Sequence, residues 1–190
     1  EMKSMKPKCP GMTLRPYQVL CAICALGEDD ARAIDPKTRK ILETVRKTPD
    51  LPITLKCNVS DVYIYQDPGH ADDTPDSVEH NLKRDLEILH KLNLMPGCTL
   101  PARIIFHRAL ELIEDVTGIC GYATVTSAAW KGCPRACLGN YKKGREKGIN
   151  AMIPPRTVAA MQAAKKESLE AMYKADPIAV RPHILVCAVC

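Results

Sequence analysis

Aromatic side chains are scarce in this 190-residue chain: one Trp, one Phe and six Tyr, 4% of the sequence. Single-stranded nucleic acid is bound by joining basic charge to aromatic platforms, so this composition argues against that role. No apolar run approaches the roughly 18 residues that a membrane-spanning helix requires, and no secretory leader is legible at the start. No GxGxxG or P-loop follows a predicted strand, which argues against those routes to nucleotide phosphates. GxSxG and HExxH are also missing, and with them two common hydrolase signatures. The aspartates of 67–76 lack the spacing of a calcium loop.

What the chain does have is cysteine. Ten Cys make about 5% of residues, high for an intracellular protein and low for a small disulfide scaffold. At this length a real core forms without covalent staples. The thiols are therefore expected to be reduced and to serve metal or redox chemistry in the cytoplasm. The rival is a secreted protein with five disulfides.

One phrase occurs twice. Arg15-Pro16-Tyr17-Gln18-Val19-Leu20-Cys21-Ala22-Ile23-Cys24 returns as Arg181-Pro182-His183-Ile184-Leu185-Val186-Cys187-Ala188-Val189-Cys190. Each copy carries an apolar run into a CxxC pair, which reads as a strand ending in two thiols. A third group lies between them: Cys133 and Cys137, with Cys120 thirteen residues earlier. Thiols two or three residues apart can reach one metal centre, and a four-iron cluster takes about four of them, commonly from more than one segment. The predicted centre is Cys120, Cys133 and Cys137 with Cys21 or Cys24. In a second arrangement Cys21, Cys24, Cys187 and Cys190 complete a site of their own, or Arg181 begins a second copy of the domain. Cys9, Cys57 and Cys98 stand alone and read as small buried hydrophobes.

The charge supports an anionic occupant. The formal net charge is +5, and Lys131, Arg135, Lys142, Lys143, Arg145 and Lys147 stand against Glu146 alone in the stretch 131–150. Cations and backbone N–H groups beside a cysteine-ligated cluster offset its negative charge. The same run reads more simply as a solvated basic face, and more weakly as a nucleic-acid surface. The histidines add no metal-ligand spacing: His80, His90 and His107 fall on predicted helices as partly exposed or hydrogen-bonded side chains, His70 in a polar loop, and His183 at a packing position.

Strands are predicted over 13–23 and 53–57, with another or a continuation at 62–65. Helices are predicted from the Asp35-Pro36 cap to about Thr48, from Thr74-Pro75 to Pro96-Gly97, over 99–116, and over 156–174. The second of these is expected to bury Val78, Leu82, Leu86, Leu89 and Leu92. Residues 66–73 read as loop, and so does most of the Gly-rich stretch 118–148. This alternation predicts one α/β or α+β domain over 1–190, a central mixed sheet flanked by helices, with a Cys/Gly-rich loop segment.

The phrase Leu14 to Cys21 resembles the opening of a small bacterial and archaeal family of uncharacterised proteins suspected of binding iron–sulfur clusters. The resemblance covers about a quarter of the chain and implies Cys21 as one ligand and the 120–137 region as the source of the rest. Cys24 and the terminal copy of the phrase depart from it. The expected function is an iron–sulfur protein, [4Fe-4S] more than [2Fe-2S], acting in electron transfer or redox sensing with a redox partner protein. The alternatives are a zinc-stabilised module that touches nucleic acid or protein through the basic loop, and thiol redox chemistry at Cys21/Cys24.

Overall fold

Among the described residues three short strands and seven helices form an α+β arrangement in which a mixed sheet is flanked by helices. The computed structural model describes residues 11–57 and 78–175. The predicted strand at 62–65, the loop at 66–73, the Thr74-Pro75 cap, His70, His183, Cys9, Cys187 and Cys190 lie outside the described residues. Two units divide the chain, 1–154 and 155–190. Among the described residues no helix is long and apolar enough to cross a membrane.

The sheet has the order β1-β2-β3 (Met12–Leu14, Pro52–Leu55 and Thr99–Pro101). β1 runs parallel to β2 with Met12 opposite Ile53, a pairing that requires a crossover, here supplied by α1 (Pro16–Leu26) and α2 (Pro36–Lys47). β2 and β3 are antiparallel, with Thr54 opposite Thr99 and their hydroxyls 2.7 Å apart.

The first predicted strand is corrected. Only 12–14 is extended, and from Pro16 the first copy of the repeated phrase is helix α1. Its apolar run is buried around most of its circumference, with Val19, Leu20, Ala22 and Ile23 at zero exposure, and a run buried on all sides carries no period that separates strand from helix. Local chemistry settles it: Pro16 stands at the first helical position, and the Gln18 side chain accepts the Arg15 backbone N–H at 2.8 Å. Those are helix-start features.

Helix α2 begins where Asp35 accepts the Thr38 N–H and buries Ile41, Leu42 and Val45. Helix α3 (Val78–Lys91) has its inner face rotated from the expected one. Leu86 is exposed, while His80, Asn81, Arg84, Asp85, Ile88 and Leu89 are buried. The helix predicted over 99–116 gives its first three residues to β3, and α4 runs Ala102–Leu112. Leu112 is exposed; Ile105 and Val116 are buried.

After α4 the chain is irregular to Gly139, apart from two single 3₁₀ turns. Part of the Gly-rich stretch is then helical: α5 (Asn140–Lys147) and the single turn α6 (Ile149–Met152). Two glycines let α5 lie against α1. A Cβ on Gly144 would overlap the Ile23 carbonyl oxygen, and one on Gly27 the Asn140 carbonyl oxygen. In the second unit, helix α7 (Val158–Tyr173) starts where the Thr157 hydroxyl accepts the Ala160 N–H, and it buries no side chain.

Candidate metal or cluster site

The first unit contains a cavity of about 550 Å³ into which α1, α3 and the irregular segment after α4 all project side chains. Four of its lining residues are thiols: Cys21 and Cys24 from α1, Cys120 and Cys133 from the segment.

Each pair is held by its own local device. Cys21 and Cys24 are three apart on a helix, hence on one face. That helix is anchored at its start by Arg15, fully buried, whose Nε and Nη2 reach Asp85 Oδ2 on α3 at 2.8 and 2.7 Å. Cys120 and Cys133 are joined through the main chain: the Cys133 N–H donates to the Cys120 carbonyl at 2.6 Å. The crossing is tight. A Cβ on Gly132 would stand 2.6 Å from that carbonyl oxygen, and one on Gly121 would stand 2.8 Å from the Ala136 Cβ.

The electrostatics show that the four sulfurs share one neighbourhood. Burial pushes the Cys21 thiol well up, and Cys120 and Cys133 push it further. Cys24 is pushed up to about 12 by burial and then by Cys21 and Cys133. Cys120 rises to about 12 through burial, with Cys24 and Cys133 adding and Arg84 opposing. Such thiols stay protonated until a metal displaces the proton. A thioredoxin-like site needs the opposite, a thiolate stabilised at a helix N-terminus. Cys21 and Cys24 lie in the middle and last turn of α1, where the helix dipole opposes a thiolate. Thiol redox chemistry of that kind does not fit.

The other candidates are placed elsewhere. Cys137 is exposed on the 3₁₀ turn Ala136–Leu138 and does not line the cavity. Cys57 is buried in the core and Cys98 packs against it. His90 and His107 are exposed.

The walls include Arg84, Lys131 and Arg135. Arg84 stacks on the Tyr17 ring at 4.0 Å and lies 3.8 Å from Asp85, while Arg135 donates to the Ala33 carbonyl at 2.5 Å. Two acids also line the cavity, each already engaged: Glu28 accepts from the Asn140 amide, and Asp35 caps α2. His80 and Asn81 complete the α3 wall; His80, expected to be partly exposed or hydrogen-bonded, is instead buried with no hydrogen-bond partner for either ring nitrogen, and Asn81 was not singled out. A histidine and an asparagine on a helix carry no signal of facing a cavity.

Among the described residues no group of three or more His, Cys, Asp or Glu is arranged to hold a metal ion. A tetrahedral zinc with sulfur ligands draws its thiolates to within about 3.8 Å of one another. Compared with family models, curated proteins and solved structures, the chain matches none.

Proposed function

We propose that the protein holds an iron–sulfur cluster, of the four-iron type, on Cys21, Cys24, Cys120 and Cys133. It would serve in electron transfer or redox sensing with a redox partner protein in the cytoplasm. One observation carries the reading: four thiols from two segments about a hundred residues apart line the same cavity. A four-iron cluster takes one thiolate per iron at its corners, which matches the number of thiols that line the cavity. The cysteines among the described residues are all free thiols. The weak resemblance at Leu14 to Cys21 points the same way.

When bound, the cluster supplies a one-electron redox centre. The chain's own residues do the rest. Arg84, Lys131 and Arg135 place positive charge around an anionic occupant, which favours binding and raises its potential. Leu20, Ile34 and Val116 give the cavity apolar wall, which limits water around the centre. Because Cys21, Cys24 and Cys120 begin protonated, loading releases protons and is favoured by rising pH.

The test is anaerobic reconstitution of the full chain with iron and sulfide. A broad absorption band near about 400 nm with about four irons per chain supports the reading. Cys120→Ser with Cys133→Ser should abolish the band, while Cys98→Ala should leave it. Colourless protein that retains stoichiometric zinc would overturn it in favour of a zinc-stabilised module.

A further inference from the structure

The α3 wall of the cavity carries groups that the cluster does not use. His80 is 1% exposed and Asn81 3% exposed. Neither ring nitrogen of His80 has a hydrogen-bond partner, and the Asn81 amide nitrogen has none. Buried polar groups are almost always paired, and those that are not call for an explanation such as a ligand. Both residues line the cavity, and a turn of each side chain about its own torsions brings its nitrogens to a molecule inside.

Three features define that molecule. Burial, Arg84 and Lys83, in that order, lower the His80 pKa to about 4. The imidazole is thus neutral at pH 7, with one N–H to donate, in a field that favours negative charge. The Asn81 amide adds further N–H donors. Leu20, Ile34, Val116 and Pro134 supply carbon surface, which an inorganic anion would leave uncovered and a carbon skeleton would fill. The volume, about 550 Å³, falls within the roughly 300–1,000 Å³ of small-molecule pockets.

We propose that His80 and Asn81 form a binding site for a small organic carboxylate in the cavity that the four thiols also line. The site goes beyond the cluster assignment and does not depend on it, since its donors come from α3 and not from the thiol-bearing segments.

A reporter is built in. The His80 ring meets Tyr122 edge-on at 5.8 Å, and Tyr122 meets Trp130, the only tryptophan of the chain, at 6.1 Å. Succinate and citrate would be titrated into the full chain, both as purified and after iron chelation, by calorimetry and Trp130 emission. Phosphate and matched sodium chloride serve as comparisons. Saturable binding of at least one carboxylate in both preparations, with a change in emission, is expected. His80→Phe keeps a ring against Tyr122 and removes the donor; it should weaken binding by about tenfold or more. Asn81→Asp is nearly isosteric and sets a negative charge against the ligand; it should abolish binding. Should His80→Phe fail to fold, as judged by circular dichroism, Asn81→Asp decides alone. The proposal is overturned if neither carboxylate binds, if chloride at equal ionic strength gives the same signal, if phosphate binds as tightly, or if Asn81→Asp binds like the parent. A colourless zinc protein that still binds succinate would sink the cluster assignment and leave this one standing.

Discussion

Arg15 and Asp85 form a fully buried ion pair, 2.7 Å between Nη2 and Oδ2, that ties the start of α1 to the middle of α3. Asp85 also accepts the Tyr17 backbone N–H at 3.3 Å. Removing one partner strands a buried charge. Arg15→Met should therefore destabilise the protein by about 3–5 kcal/mol, and Arg15→Met with Asp85→Leu should recover most of the loss. Urea denaturation of the two variants measures both.

Gly144 sets how closely α5 approaches the helix that bears Cys21 and Cys24. A methyl group there meets the Ile23 carbonyl, which is backbone and cannot swing aside. Gly144→Ala should cost about 1–3 kcal/mol and lower iron content after reconstitution, whereas Gly118→Ala, which meets no neighbour but must hold a φ of +77°, should cost about 1 kcal/mol through backbone strain. Thermal melts and iron assays of the two variants separate displacement from strain.

His80 links stability to acid. Its ordinary pKa is 6.5 and in the fold it is about 4, through burial and then Arg84 and Lys83. Between those values the unfolded chain takes up a proton that the folded one refuses. The unfolded state binds more protons there, so stability falls as pH drops from about 6.5 towards 4. His80→Gln, which cannot titrate, should flatten that part of the profile in denaturation curves collected across the window.

Thiol reactivity should follow placement. In native protein without added metal, iodoacetamide should label exposed Cys137 first among the described cysteines. Cys24 and Cys120, raised to about 12, should react slowly because little thiolate is present. Cys57, at 1% exposure, should react only on unfolding. Mass spectrometry of timed samples gives the order, and early labelling of Cys120 would contradict the buried placement described for it.

Much of the scaffold could be read from the residues where one local rule acted alone. Asp35-Pro36 started α2, and Ile41, Leu42 and Val45 marked its inner face. The Cys spacing pointed to α1 and to the segment around 120–133. Reading failed where distant partners decided. The α1 run looked like a strand because burial on all sides erased its period. On α3 the inner face follows Asp85 and Arg84, whose reason for burial is Arg15 and Tyr17, some seventy residues earlier; leucine spacing alone chose Leu82 and Leu86. Cys137 shares a short spacing with Cys133, but the turn at Ala136–Leu138 leads it outward before Gly139, at a φ of +73°. Residues 99–101 became strand only because β2 was there to pair with them.

The crossing at Gly121 and Gly132 bears on how this protein can diverge. A side chain at Gly132 strikes the Cys120 carbonyl and the Gly121 Cα, and one at Gly121 strikes Ala136. Three positions that contribute no functional group thus share a single allowance of space. Mutational drift at any of them must be answered by movement of the strand of chain that carries Cys133, so descendants that keep the pocket are expected to keep all three residues small.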